Sequence, residues 1–471
     1  MVPNGVAAGL RVKQEWHDKL LKPGYLALAI GLHGVLAVLF RVASPVSKLH
    51  AVATLVIGVI IALRSRRTDH VAYVLGYAVG CEVLWRMTRG TLVYEHGKYA
   101  LIIILAAALI GMRRRVGQPL AGVQFLLLLP SAVLTVAALP IEEARGALAF
   151  NLDGPLALCL FVTYFSSIRL STLQLQKLLL ITILPLGGIA LLTVFNLSTA
   201  PEVQFTRNSN YLVVGGFGPN QVAAVLGLGV YLTFFLLTSG VVKPALRMLL
   251  SGLLLLLTAQ SIMTFSRNGI YCAVGACFLA GAFLMTDSRM RTKLLIGAPV
   301  LALIFVFVIF PQLDDLTGGA LGERFQKTSS SGRDEIALRE LLVWKENIAL
   351  GVGPGVGKYV RGDVWAAAAH TEFTRLVGEH GLLGLGAIAL YLLIPWQAYQ
   401  QAKTRMHKAL IVSAVGWSFA FMTANAMRLG TPGFMFGLAC VRLQSSPLAE
   451  IRRKKRPLAR FQQPRYSEVT V

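Results

Sequence analysis

The commonest pattern along the chain is an apolar run of about membrane length, closed by a short polar stretch, as in "KYALIIILAAALIGM" and "LLIGAPVLALIFVFVIF". An α-helix needs about 20 predominantly apolar residues to cross a bilayer core about 30 Å thick. On that measure, spans are expected near residues 24–41, 50–63, 70–88, 97–112, 119–139, 152–168, 177–197, 217–238, 245–263, 268–285, 294–311, 376–395, 408–425 and 431–444. The pattern predicts an all-α polytopic membrane protein with about 14 transmembrane helices. Residues 1–311 hold the first eleven spans and 376–445 the C-terminal ones. The one long loop covers 312–375, and 446–471 form a basic tail.

Charge changes this picture by giving it a direction. Basic residues fall on alternate loops: Arg11, Lys13, Lys19 and Lys22, then "RSRR" (64–67), "RRR" (113–115), Arg169 and Lys177, Lys243 and Arg247, "RMRTK" (289–293), Lys403, Arg405 and Lys408, and "RRKKR" (452–456). Because short cytoplasmic loops collect Lys and Arg, both termini are expected in the cytoplasm. Loops 140–151, 198–216 and 312–375, with the turn at 264–267, then face the other side. The long loop is expected to be ordered and partly helical. In "SGRDEIALRELLVWKENIALG", Ala337, Leu341, Trp344 and Ile348 recur at helical spacing, Ser331 and Asp334 resemble a capping box, and Gly351 stands just past the end.

Composition excludes other classes. Only 14% of the 471 residues are charged and 55% are hydrophobic, whereas a soluble protein carries about 25% charged residues. The net charge of +23 sits in loops beside spans, so nucleic acid is not expected as a partner. Cys81, Cys159, Cys272, Cys277 and Cys440 lie in or at the ends of apolar segments, without metal-ligand spacing, and are read as packing. The polar, basic start carries no cleavable signal pattern, so the first span is expected to be retained.

Ionisable groups gather where the chain re-enters the membrane, in "AAAAHTEFTRLVGEHGLLGLG" (366–386). His370 is expected at a helix N-terminus, where the positive dipole end favours neutral imidazole and attracts anions. Neutral imidazole titrating near pH 6–7 can act as general base toward a hydroxyl. Glu372 is the alternative base, although Glu372, Arg375 and Glu379 share a helix face and read as salt-bridge support. Arg267 in "MTFSRNGIY" stands on the side where arginines beside spans are disfavoured, and Arg333, at the second position of the loop helix, opposes its dipole. Two such charges facing each other make sense around an anion. Arg207 and Arg145 are further candidates on that side. Asn220 and Gln221, after Gly218 and Pro219 in "GGFGPNQVAA", can hydrogen-bond sugar or phosphate oxygens. "GVGPGVGKY" (351–359) lacks the Gly and Ser/Thr positions of a phosphate loop and reads as a tight turn. Glu82 and Arg86 are expected to form a structural pair inside the third span.

In that order, "GFGPNQVA", "FSRNG", "GR" followed by "W" and "GVGPG", then "AHTEF…GEHGLLG", the chain resembles the O-antigen ligase and polymerase superfamily over roughly residues 200–395. The resemblance implies a bacterial inner-membrane glycosyltransferase that needs no metal or other cofactor. It would move a glycan from an undecaprenyl-pyrophosphate carrier to an acceptor hydroxyl on the periplasmic face. Arg267 and Arg333 then look like pyrophosphate-binding arginines and His370 like the catalytic histidine. Thr371 stands where many relatives carry Asn. The implied partners are the lipid-linked donor, a glycan or lipid A-core acceptor and membrane lipids. Ligase and polymerase activities remain alternatives within the family, and a lipid-linked glycan flippase is the alternative outside it.

Overall fold

The computed structural model describes residues 21–65, 67–112, 117–200, 205, 208–239, 243–286, 288–326, 332–362 and 369–444. The N-terminal basic segment up to residue 20, the basic tail from 445, Arg207 and Ser331 lie outside the described residues.

The chain is an all-α bundle. Its helices are α1 (Pro23–Val42), α2 (Ser44–Arg64), α3 (Thr68–Met87), α4 (His96–Gly111), α5 (Pro119–Leu126), α6 (Ala132–Ala138), α7 (Ile141–Ser167), α8 (Thr172–Thr199), α9 (Pro219–Thr238), α10 (Pro244–Met263), α11 (Asn268–Leu284), α12 (Ser288–Ile304), α13 (Phe310–Leu316), α14 (Ala320–Gln326), α15 (Arg333–Glu346), α16 (Gly357–Val360), α17 (Glu372–Gln401), α18 (Arg405–Asn425) and α19 (Thr431–Cys440). Among the described residues, eight helices are long and apolar enough to cross a membrane: α1, α2, α7, α8, α9, α10, α17 and the rod Met290–Leu316, in which a π-turn joins α12 to α13. Shorter apolar helices α4, α11 and α19 pack among them, with α3 and α18. Helix α9 lies at the centre, with 89% of its apolar window buried, and the Met290–Leu316 rod at the rim, with 6%.

Several starts follow from local chemistry. Helices α9 and α10 begin on Pro219 and Pro244, where the missing N–H costs nothing and the fixed φ is already helical. Ser171 caps α8 in a reciprocal capping box with Gln174. The apolar stretch 119–139 is not one span. It breaks into α5 and α6 around Pro130, which can neither donate to the ladder nor fit the preceding turn. A short parallel pair, β1 (Arg169–Ser171) with β2 (Arg442–Gln444), ties the end of α7 to the chain after α19, which stops at Cys440.

Lipid offers helices no hydrophobic reason to associate, so close backbone approach and polar contacts hold them together. Helices α9 and α11 touch at Gly227 and Gly269: a Cβ on either would stand 2.2 or 2.1 Å from a facing carbonyl oxygen. Between helices, Tyr231 and Ser413 share a 2.7 Å hydrogen bond, Thr193 donates to Gln260 at 2.9 Å, and Gln124 donates to Tyr391 at 3.1 Å. Each such bond contributes about 0.6 kcal/mol.

Helix α17 is the element that positions the site. It bends at Gly381, whose backbone (φ 59°, ψ −136°) is not helical. The break frees carbonyls, and the glycine-rich loop answers them: the Val352 amide donates to Gly378 and the Gly353 amide to Glu379, at 3.1 and 2.9 Å. Leu382 N–H in turn reaches Ile348 O at 2.9 Å. "GVGPG" is therefore a backbone splint against α17. Gly351 and Gly353 carry φ of 67° and 98°, and a Cβ on Gly351 would lie 2.4 Å from the Glu379 carbonyl carbon.

Candidate active site at one end of the bundle

Three segments converge where α10, α15 and α17 end or begin. The first is the turn from α10 into α11. Thr264 closes α10 through its hydroxyl, Phe265 takes a left-handed φ of 58°, and Arg267 precedes the first residue of α11. Because Gly269 lets α11 lie against α9, this turn meets the start of α9: Ser266 Oγ donates to Asn220 Oδ1 at 2.7 Å. Gln221 beside it is buried, and its Oε1 has no partner; nor has Nδ2 of the buried Asn268. Buried polar atoms are nearly always satisfied, so these two atoms are candidates to bond a polar ligand or water.

The second segment is the loop. Arg324 on α14 donates its Nε to the Phe265 carbonyl at 3.1 Å, placing a guanidinium against the Arg267 turn. Arg333 is the first residue of α15, one position earlier than the sequence spacing suggested, after Gly332 with φ 76°. Burial, then the charges of Arg324 and Arg267, hold Arg333 below the usual arginine range; burial and Arg267 do the same to Arg324. Mutually repelling guanidiniums, one of them at a positive helix end, gain from an anion between them.

The buried face of α15 differs from the expected one. Ile336, Glu340 and Val343 are buried, whereas Leu341 and Ile348 are exposed. The stripe is displaced because Glu340 is drawn inward: it accepts from Arg361 Nη1 at 2.9 Å and from Thr374 Oγ1 at 2.5 Å, locking α15 to α16 and α17. Burial pushes the Glu340 carboxyl up to about 7, against the pull of Thr374 and Arg361. The helix is capped by Gly332 and ends at Glu346, so the expected Gly351 stop belongs to the splint instead.

The third segment carries His370, half-buried just before α17. Its carbonyl accepts from the Ala426 amide at 2.9 Å, and the preceding Ala369 carbonyl accepts from Arg428 Nη2 at 2.6 Å. Burial pushes the imidazole down to about 4, assisted by Arg428, Arg333 and Arg361. That corrects the expected value near 6–7: desolvation and surrounding cations disfavour imidazolium more than a helix N-terminus alone would. The ring is neutral across the physiological range.

Glu372, the alternative base, lies in a buried ion pair. It is fully buried, its two oxygens accept from Arg375 Nη2 and Nε at 2.6 and 3.1 Å, and Oε2 also accepts from the Met427 amide at 3.1 Å. Arg375 also donates to Glu379 at 2.8 Å. These bonds use three of its roughly four lone-pair sites and make Glu372 a structural anchor at the start of α17. Glu82 and Arg86 pair at 3.4 Å within a larger buried set, in which Glu95 joins Arg86 (3.0 Å) to Lys98 (2.8 Å) and Lys98 reaches Asp153 (2.6 Å). Arg145 stays with Glu142 on the surface.

The structure thus gathers Arg267, Arg333 and His370, and sets Asn220 and Gln221 beside the first of them. Arg324, Arg361 and Arg428 were not singled out from sequence. The signal available for Arg428 is the one that marked Arg267: an arginine beside a span, on the side that the charge pattern leads one to expect poor in positive charge. Among the described residues, no group of three or more His, Cys, Asp or Glu side chains is placed to hold a metal ion. No family model matches the chain, and no curated protein matches it.

Proposed function

We propose that this protein is a multi-pass membrane glycosyltransferase that transfers a glycan from a polyprenyl-pyrophosphate carrier to an acceptor hydroxyl, in the manner of the O-antigen ligases. What carries the reading is the convergence of guanidiniums around a neutral imidazole at one end of an apolar bundle. Read with the alternation of basic loops, that end faces the periplasm in a topology of about 14 spans. A lipid-linked substrate requires chemistry at this depth, where the headgroup meets the protein while its chain stays in lipid.

In this reading Arg267, Arg324 and Arg333 hold the pyrophosphate, and Asn220 and Gln221 meet donor oxygens. His370 takes the proton of the acceptor hydroxyl as its oxygen bonds to the anomeric carbon. The bond from that carbon to the phosphate oxygen breaks, and its electron pair leaves with polyprenyl pyrophosphate. The arginines stabilise the developing charge, and the imidazolium returns its proton to the pyrophosphate or to water. An imidazole titrating near 4 is a weak base alone. The negative donor raises its proton affinity, so the base strengthens once the donor is bound.

The test is transfer by the purified protein, given a polyprenyl-pyrophosphate glycan and, in separate reactions, a lipid A-core acceptor or a second lipid-linked glycan. Product with the first acceptor identifies a ligase and product with the second a polymerase. A protein that binds donor, transfers to neither and instead moves it across vesicle membranes is a flippase, and the enzymatic reading fails.

A further inference from the structure

The turn between α18 and α19, residues 426–430, touches more of the site than its length suggests. Ala426 has a left-handed φ of 50°, an uncommon conformation for a residue with a Cβ. Its amide holds the His370 carbonyl at 2.9 Å. The next amide, of Met427, is held by Glu372 at 3.1 Å, and Arg428 Nη2 donates to the Ala369 carbonyl at 2.6 Å. The turn is anchored from behind by the buried set on α3: Gly430 N–H donates to Glu82 Oε2 at 2.9 Å, and Arg86 donates to the Arg428 carbonyl at 3.4 Å. We propose that Arg428 is a positioning residue for His370: it clamps the backbone carrying the imidazole and adds its positive charge beside the ring. This rests on the transferase reading for its purpose, although not for its test.

The clamp has two parts, one geometric and one electrostatic. The hydrogen bond to Ala369 and the Ala426–His370 bond fix the two peptides before α17, so the ring is aimed by backbone contacts as well as by its own rotamer. The charges facing His370 are Arg428 from this turn, Arg333 from α15 and Arg361 after α16. Those facing Arg428 are Arg333, Arg375, Glu95 and the Tyr94 hydroxyl, besides Arg86 at its carbonyl. A guanidinium so placed keeps the ring from holding a proton until an anion arrives, which ties base strength to donor occupancy.

The experiment follows acylation of His370 by diethyl pyrocarbonate against pH, read by mass spectrometry on the purified full-length protein, since only neutral imidazole reacts. Exchange of the Ala426 amide is followed in parallel. In the wild type the midpoint should lie near 4 and rise when inorganic pyrophosphate is added. Arg428→Gln should raise the pyrophosphate-free midpoint by about 1 unit, as expected for removing one nearby charge, and speed exchange at Ala426. Arg428→Lys should leave the midpoint in place and still speed that exchange, because the charge survives and the guanidinium contact does not. An unchanged midpoint in Arg428→Gln overturns the electrostatic role. Should that variant not fold, unchanged Ala426 exchange in Arg428→Lys overturns the clamp. Neither readout needs turnover, so a wild type that transfers no glycan would sink the transferase reading and leave this one standing.

Discussion

Arg375→Met should cost about 3–5 kcal/mol of stability, the usual penalty for removing one member of a buried ion pair. The side chain is 4% exposed and lies between Glu372 and Glu379, which are 0% and 6% exposed. It makes two bonds to the first and one to the second, with a longer contact of 3.4 Å to Asn151. Methionine fills much of the space but leaves two carboxylates facing each other without a cation. They must then take up protons or admit water, and either change loosens the first turns of α17 and the splint bonded to Gly378 and Glu379. Thermal unfolding in detergent, with transfer measured on the same preparation, reads the effect. Arg375→Met/Glu372→Gln/Glu379→Gln removes the stranded charges and should recover much of the loss, since a neutral set of similar volume is often as stable as the ion pair it replaces. A single variant within about 0.5 kcal/mol of wild type, the range of an ordinary surface change, would refute the supporting role given to Glu372.

Gly353→Val should abolish accumulation of folded protein, because φ of 98° excludes a branched side chain and a Cβ there would lie 2.7 Å from the Thr135 amide nitrogen; expression compared with Gly297→Ala, where nothing lies within 4 Å, checks it. The net contribution of Glu340 to folding stability should fall as pH rises. Its carboxyl goes from 4.5 to about 7 on folding, so the folded state holds the proton more tightly, and that stabilisation is complete below 4.5 and gone above about 7. Protection of the amides in 333–346, measured relative to their intrinsic exchange rate at each pH, should therefore fall between those values in the wild type and not in Glu340→Gln. Arg324→Ala should lower transfer by about 10²–10³, the usual cost of one donor to developing charge, and raise the concentration of donor needed; near-normal turnover would remove Arg324 from the site.

Much of the bundle was readable because apolar runs are bounded by residues with few conformational options. Pro219 and Pro244 mark helix starts, and the apolar run from 97 begins and ends within a residue of α4. Pro130 was a visible break inside 119–139, yet hydropathy across it is continuous and conceals that two short helices result. The phase of α15 was missed because its buried face contains a glutamate, and apolar periodicity cannot anticipate a charge paid for by Arg361 and Thr374. For the site, Arg267, Arg333 and His370 were conspicuous as charges at helix ends. Arg324, Arg361 and Arg428 come from three separate segments, and only tertiary packing brings the first beside Arg267 and Arg333 and the other two near the His370 imidazole.

The most direct measurement of the central claim is a single-turnover comparison of wild type and His370→Ala with a labelled polyprenyl-pyrophosphate glycan, monitoring donor binding and glycan transfer separately. The account predicts unchanged donor binding and a transfer rate lower by about 10²–10⁴, the usual contribution of a general base. Full-rate transfer by His370→Ala would contradict it.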